Sequence, residues 1–141
     1  MNASTLDAVV AAELPASPER VFRALTSDEI VRWWVRAGVF DTREWTGDVR
    51  PGGMWHASGM ARGNPYTLDG EYLEVDAPKK LVHTWQLNGM PLVTTVTYEL
   101  QRTERGTQLT VRHAGCSSEE AREINRTGWE TSIDALRRLL E

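Results

Sequence analysis

SSEEAREINRTGWETSIDALRRLLE, residues Ser117–Glu141, decides the fold. Trp129, Ile133, Leu136 and Leu140 recur at spacings of four, three and four, one apolar stripe on a helix. Ser117 and Glu120 have the spacing of a capping box, which predicts the helix start. Glu119, Glu120 and Glu123 sit near the positive end of its dipole, and Arg137 and Arg138 near the negative end. A helix from Ser118 to Glu141 is about 36 Å long at about 1.5 Å per residue. Gly128 interrupts it at a cost of about 1 kcal/mol relative to alanine. Gly128 and Ser132 lie four apart beside the stripe, so a strand or tryptophan packs close there, or the space is left to a ligand.

Working back toward the N-terminus, the chain turns from helical to strand-like patterning. Between Arg43 and Ala114 it reads as short antiparallel strands separated by turn signals. Trp45-Thr46 is a brief one. Met54–Met60 follows the turn Arg50-Pro51-Gly52-Gly53, and Tyr66–Val75 follows Arg62-Gly63-Asn64-Pro65. Leu81–Leu87 alternates Leu81, His83, Trp85 and Leu87 against Val82, Thr84 and Gln86. Asn88-Gly89 predicts a type I′ hairpin turn into Leu92–Leu100. Gln108–Ala114 closes the series. At the other end, Thr5–Leu14 carries Leu6, Ala8, Val10, Ala12 and Leu14 on one parity, a first strand. Ser17-Pro18 starts a short helix with an N-cap and a proline where its missing N–H costs nothing. Thr26 and Glu29 have capping-box spacing for a second short helix, with Ile30, Trp33 and Trp34 inward and Gly38 closing it.

One long helix cannot fill the concave side of a large curved sheet with its own side chains. The order of elements therefore predicts an α+β architecture with a cavity between sheet and helix, in one domain spanning 1–141. Composition agrees: 40% hydrophobic and 26% charged residues are usual for a soluble globular chain. A net charge of −4 offers no basic field to nucleic acid or an anionic membrane. No apolar run approaches the ~20 residues of a membrane span. Met1–Asp7 lacks the pattern of a secretory signal, and the single Cys116 excludes an internal disulfide. A cytoplasmic location is the expectation, with no cofactor and with a monomer or homodimer both open.

The quoted runs also resemble a family. Ala16-Ser17-Pro18-Glu19-Arg20-Val21-Phe22-Arg23-Ala24-Leu25-Thr26 with Trp33-Trp34, then Arg50-Pro51-Gly52-Gly53-Met54-Trp55, then Gly70–Trp85, then Thr107–Gly115 with Gly128-Trp129, follow in the order seen in bacterial relatives of the activator of Hsp90 ATPase. The resemblance covers nearly the whole chain. It implies membership of the wider START-like group, which also holds polyketide cyclases and plant pathogenesis-related proteins. It implies a helix-grip (Bet v 1-like) fold: a curved antiparallel sheet wrapped around the long C-terminal helix, with two short helices after the first strand. The family shares no catalytic residue set, so activity has to be argued from the site. The eukaryotic co-chaperone carries a separate chaperone-binding domain for which 141 residues leave no room.

Six tryptophans supply large apolar surface with a polar handle, suited to a core or to a ligand wall. The expected cavity wall is Trp33, Trp34, Phe40, Trp55, Tyr72, Trp85, Tyr98, His113, Gly128 and Ser132. His56, His83 and His113 have no short metal-ligand spacing, so no metal is expected. His113 shares parity with Leu109 and Val111 and should face inward. Cys116 stands alone and reads as a small buried hydrophobe. Asp69 and Glu71 share the strand face opposite Leu68 and Tyr72, which points them to solvent. Gly52-Gly53 precedes neither lysine nor helix, and no Gly-x-Ser-x-Gly occurs. The leading expectation is a non-enzymatic binder of a small apolar or aromatic molecule. The alternatives are a cyclase- or hydrolase-type enzyme using His113 or Tyr98 as acid/base, and a protein-interaction or co-chaperone-like module.

Overall fold

The computed structural model describes residues 6–141. Its elements run β1 (Ala8–Leu14), α1 (Pro18–Leu25), α2 (Ile30–Trp33), β2 (Val35–Arg36), β3 (Phe40–Gly47), β4 (Met54–Ala61), β5 (Asn64–Asp76), β6 (Lys80–Leu87), β7 (Thr94–Thr103), β8 (Gly106–Ala114) and α3 (Glu119–Leu140). The strands form one antiparallel sheet in the order β1-β8-β7-β6-β5-β4-β3-β2. The order is that of a meander whose last strand returns to pair with the first, Ala8 facing His113 and Leu14 facing Thr107. The sheet curls around α3 as a helix-grip fold.

Period-two alternation makes the inner face. Leu109, Val111 and His113 of β8, Val96, Tyr98 and Leu100 of β7, Leu81 and His83 of β6, and Leu68 and Tyr72 of β5 are all buried. Ile133, Leu136 and Trp129 of α3 close over them. Trp33 is fully buried, and its indole N–H donates to Ala24 O at 3.0 Å, tying α2 to the end of α1. Asp69 and Glu71 lie on the outer face, where Asp69 bonds His56 at 2.7 Å.

Several boundaries differ from the sequence reading, each for a local reason. Thr5 lies outside the described residues, and β1 begins at Ala8 rather than including Leu6. The cap of α3 is Ser118, whose Oγ accepts from Ala121 N at 3.0 Å, one residue later than the Ser117–Glu120 box. Thr26 and Glu29 form no capping box either. Thr26 Oγ1 donates back to Phe22 O, and Glu29 is taken by Arg20 at 2.7 Å. The second helix is therefore a single turn. Gly38, with φ of 78°, serves the β2–β3 hairpin instead of a helix end. That hairpin extends β3 back to Phe40. Arg62 and Gly63, at φ of 50° and 83°, make a two-residue turn, so Asn64 and Pro65 belong to β5. Pro65 is tolerated because β6 pairs only from Leu68 onward, leaving that side of the strand free of a ladder. Asn88-Gly89 does form its left-handed turn, with Met90 N donating to Leu87 O at 3.0 Å. Asn88 is also stitched to β5 through Thr67, in both directions. β7 then resumes only at Thr94, after Pro91, and Leu92 and Val93 stay exposed.

Gly70 is a close-approach glycine of this core. A Cβ there would come within 2.2 Å of Trp55 Nε1 and 2.1 Å of Thr84 O. Gly70→Ala is expected to cost about 1–3 kcal/mol through overpacking. Chemical denaturation should show a lower midpoint at an unchanged m-value, and an unchanged midpoint would refute the close packing of Trp55 on β5.

Candidate functional site

The concave side of the sheet is filled at one end and open at the other. A cavity of about 300 Å³ remains between the first half of α3 and the strand ends that meet there. From α3 come Ile124, Asn125, Gly128, Trp129 and Ser132. The chain after α2 brings Trp34, Arg36, Val39 and Phe40. The ends of β4 and β6 and the start of β5 bring Ala61, Trp85, Leu87 and Tyr66, and Asn88 follows in the turn. The antiparallel order makes this possible, because those strand ends all lie at the same edge of the sheet.

Three indoles form the inner wall. Trp85 lies 5.2 Å from Trp34 and 5.6 Å from Trp129, and Trp34 lies 6.3 Å from Trp129, centroid to centroid. Each such pair adds about 0.5–1.5 kcal/mol beyond burial. Opposite them, Gly128 leaves real space: a Cβ built there meets nothing within 4 Å. Neither a strand nor a tryptophan comes within 4 Å of that point.

Of the ten residues expected at the wall, Trp34, Phe40, Trp85, Gly128 and Ser132 line the cavity. Trp33, Trp55, Tyr72, Tyr98 and His113 do not; they are buried behind the indoles. All five face inward as their patterning requires, but they sit in the filled part of the interior. Trp129, Tyr66, Arg36, Val39, Ala61, Leu87, Asn88, Ile124 and Asn125 were missed. For Ile124 a signal existed, since it lies four residues before Gly128 as Ser132 lies four after.

Behind the wall, two histidines anchor polar chains whose geometry sets their tautomers. Trp129 Nε1–H donates to His113 Nδ1 at 3.0 Å, so that nitrogen is unprotonated. His113 Nε2–H therefore donates to Thr94 Oγ1 at 2.7 Å, and the threonine hydroxyl donates to Trp85 O at 3.3 Å. His83 has the opposite tautomer. Its Nδ1–H donates to Thr84 O at 2.9 Å, and its Nε2 accepts from Tyr98 Oη at 3.0 Å. Burial pushes both rings down to about 4; for His83 the Thr84 carbonyl opposes this and the nearby His113 adds to it. Burial also holds the Tyr72 and Tyr98 phenols well above their usual value. Cys116 is buried, with Asn125 Nδ2 donating to its sulfur at 3.4 Å. Among the described residues no group of three or more His, Cys, Asp or Glu could hold a metal ion, and no helix is long and apolar enough to cross a membrane.

These histidines make stability depend on pH. Unfolded, they titrate near about 6.5; folded, they do so only at about 4. Between those values the unfolded chain binds more protons. Their contribution is therefore whole above about 6.5 and is lost as pH falls toward 4, at up to ~1.4 kcal/mol per pH unit per ring. Urea denaturation across that window should show a fall in stability, and the slope should be shallower in His113→Asn. An identical slope in the variant would remove His113 from this role.

The geometry has counterparts in known structures. Protein CV1439 from Chromobacterium violaceum superposes with a TM-score of 0.83 at 24% identity over 96% of each chain. Protein NE0264 from Nitrosomonas europaea gives 0.80 at 29% identity, covering 95% of this chain and 93% of its own. The AHSA1 protein SPO3351 from Silicibacter pomeroyi gives 0.82 at 20% identity over 95% and 96%. No curated protein matches the sequence. The model of the Activator of Hsp90 ATPase homolog 1-like family matches residues 15–141, and the chain belongs to that family.

Proposed function

We propose that the protein binds a small, largely apolar molecule in the cavity between α3 and the strand ends. The observation that carries this reading is the unfilled space beside Gly128, walled by Trp34, Trp85 and Trp129. Its volume of about 300 Å³ falls at the lower end of the range for small-molecule pockets, ~300–1,000 Å³. A molecule of one or two rings suits it better than a long chain or a polycycle. The enzyme reading has less support: His113 and Tyr98, its acid/base candidates, are absent from the lining, and a ring titrating at about 4 is a poor base near neutrality.

A second reading, an interaction module, draws on one observation. Met90, Leu92 and Val93 are exposed in the loop that follows Leu87 and Asn88 of the cavity rim, and Ile124 at that rim is 62% exposed. Self-association through these residues would show as a concentration-dependent mass in sedimentation, abolished by Leu92→Ser with Val93→Ser.

Gly128 separates cavity from scaffold. Gly128→Ala should raise the thermal midpoint, by up to about 1 kcal/mol of helix propensity, and leave most of the space. Gly128→Phe should fill it. Tryptophan emission during titration with methyl 2-naphthoate is expected to saturate in the wild type and in Gly128→Ala, and to show no saturable change in Gly128→Phe. Equal responses in all three proteins would place the probe elsewhere and defeat the reading.

A further inference from the structure

The cavity has a chemical polarity of its own. Arg36 is the single charged residue of its lining, in a chain whose net charge is −4. Most other arginines find carboxylates, such as Arg20 with Glu29, Arg126 with Glu123 and Glu130, and Arg138 with Asp134; Arg32, Arg62 and Arg105 do not, but they are exposed and outside the lining. Half-buried Arg36, among the described residues, has neither an ion-pair partner nor a hydrogen bond from its guanidinium. It sits in a two-residue strand whose backbone is fixed by pairing with Phe40, so its position at the rim is set by the hairpin.

A second observation lies in α3. Ser132 lines the same cavity at 4% exposure, and its hydroxyl has no hydrogen-bond partner among the described residues. The indole N–H groups of Trp34, Trp45 and Trp55 also lack acceptors, but those atoms are enclosed by protein and present no surface to the cavity. A half-enclosed hydroxyl without a partner is costly, and a polar atom arriving with a ligand relieves the cost. Three other polar side chains of the lining are already engaged. Tyr66 Oη bonds Thr42 Oγ1, Asn88 Oδ1 accepts from Thr67 N, and Asn125 is held by Cys116. The groups left over are the Arg36 guanidinium, cationic and at the rim, and two neutral ones, the Ser132 hydroxyl and the Trp85 indole N–H.

Resting on the small-molecule reading above, we propose that the ligand is a small aromatic organic acid. Its ring body lies against the indole wall and Phe40, its carboxylate is held at the rim by Arg36, and an oxygen on the ring body accepts from Ser132. The planar guanidinium suits a carboxylate through paired N–H donors, and partial burial shields the pair from salt.

The test uses matched probes in calorimetric titrations: 2-naphthoate, methyl 2-naphthoate and 6-hydroxy-2-naphthoate. The wild type should bind 2-naphthoate at least ten-fold tighter than the ester, and the 6-hydroxy acid several-fold tighter again. Arg36→Gln should bring acid and ester within two-fold of each other, the acid losing far more affinity than the ester. Arg36→Lys should keep part of the preference, since it retains the charge without the fork. A wild type that binds the ester as well as the acid, or a preference that survives in Arg36→Gln, overturns the assignment of the anion but leaves the cavity binder intact. No gain from the hydroxyl removes Ser132 from the recognition. Binding of none of the three probes by the wild type overturns the small-molecule reading itself.

Discussion

The hydrogen bond from the Trp129 indole to His113 Nδ1, 3.0 Å long, sets the rotation of α3 on the sheet. An apolar stripe alone permits a helix to roll by some tens of degrees with little loss, because the hydrophobic effect has no direction. A buried N–H with one acceptor does not permit it. Once Trp129 is pinned, its neighbour Gly128 has to face the open end of the sheet, and Ile133 and Leu136 have to face the filled end. The same bond fixes the histidine tautomer, which orients Thr94, which in turn bonds the carbonyl of Trp85. One contact thus ties α3 to β8, β7 and β6 in a single chain of donors and acceptors, and all of its members need a neutral imidazole.

The cavity follows from where large side chains stop. At the filled end, Tyr72, Tyr98, His83, Leu136 and Ile133 occupy the space under the helix. At the other end the inward positions fall to Gly128, Ser132 and Ala61, while the strands separate toward their turns. Three indoles stand at the border between the two regions, packed on Trp55 and His83 on one side and facing the empty volume on the other. Core packing and ligand wall are therefore not rival roles for Trp34, Trp85 and Trp129. Rigid rings packed from behind give a wall that does not collapse into the void, which is why the space persists.

Much of the architecture was legible in the sequence because it depends on period and spacing. The inward parity of Leu81–Trp85 and of Leu109–His113, the stripe of α3 and the left-handed Asn88-Gly89 turn are local properties, and all hold. The division of inward residues between core and cavity is not local. Tyr72 and Tyr66 share a face of β5, yet one lies under α3 and the other beside its open end. Parity names the face; distance along the strand from the helix contact names the role, and that distance exists only after the sheet is assembled. The caps were misplaced for a related reason. Glu29 prefers the guanidinium of Arg20, nine positions away, to the backbone N–H that local spacing offered.

The family membership leaves function open, because a helix-grip fold is a frame around a space, and function is set by the side chains that line the space. In this chain the interior donors and acceptors do not all match. The histidine chains are closed: each ring nitrogen has a partner and both rings stay neutral at physiological pH. A closed, neutral network at a pKa of about 4 is suited to holding a wall in place and ill suited to moving protons. The open valences of the lining are at Arg36, Ser132 and the Trp85 indole, and none of them takes a proton near neutral pH. One unpaired cation at the rim of an apolar wall favours an anion with an apolar body over a neutral molecule of the same shape.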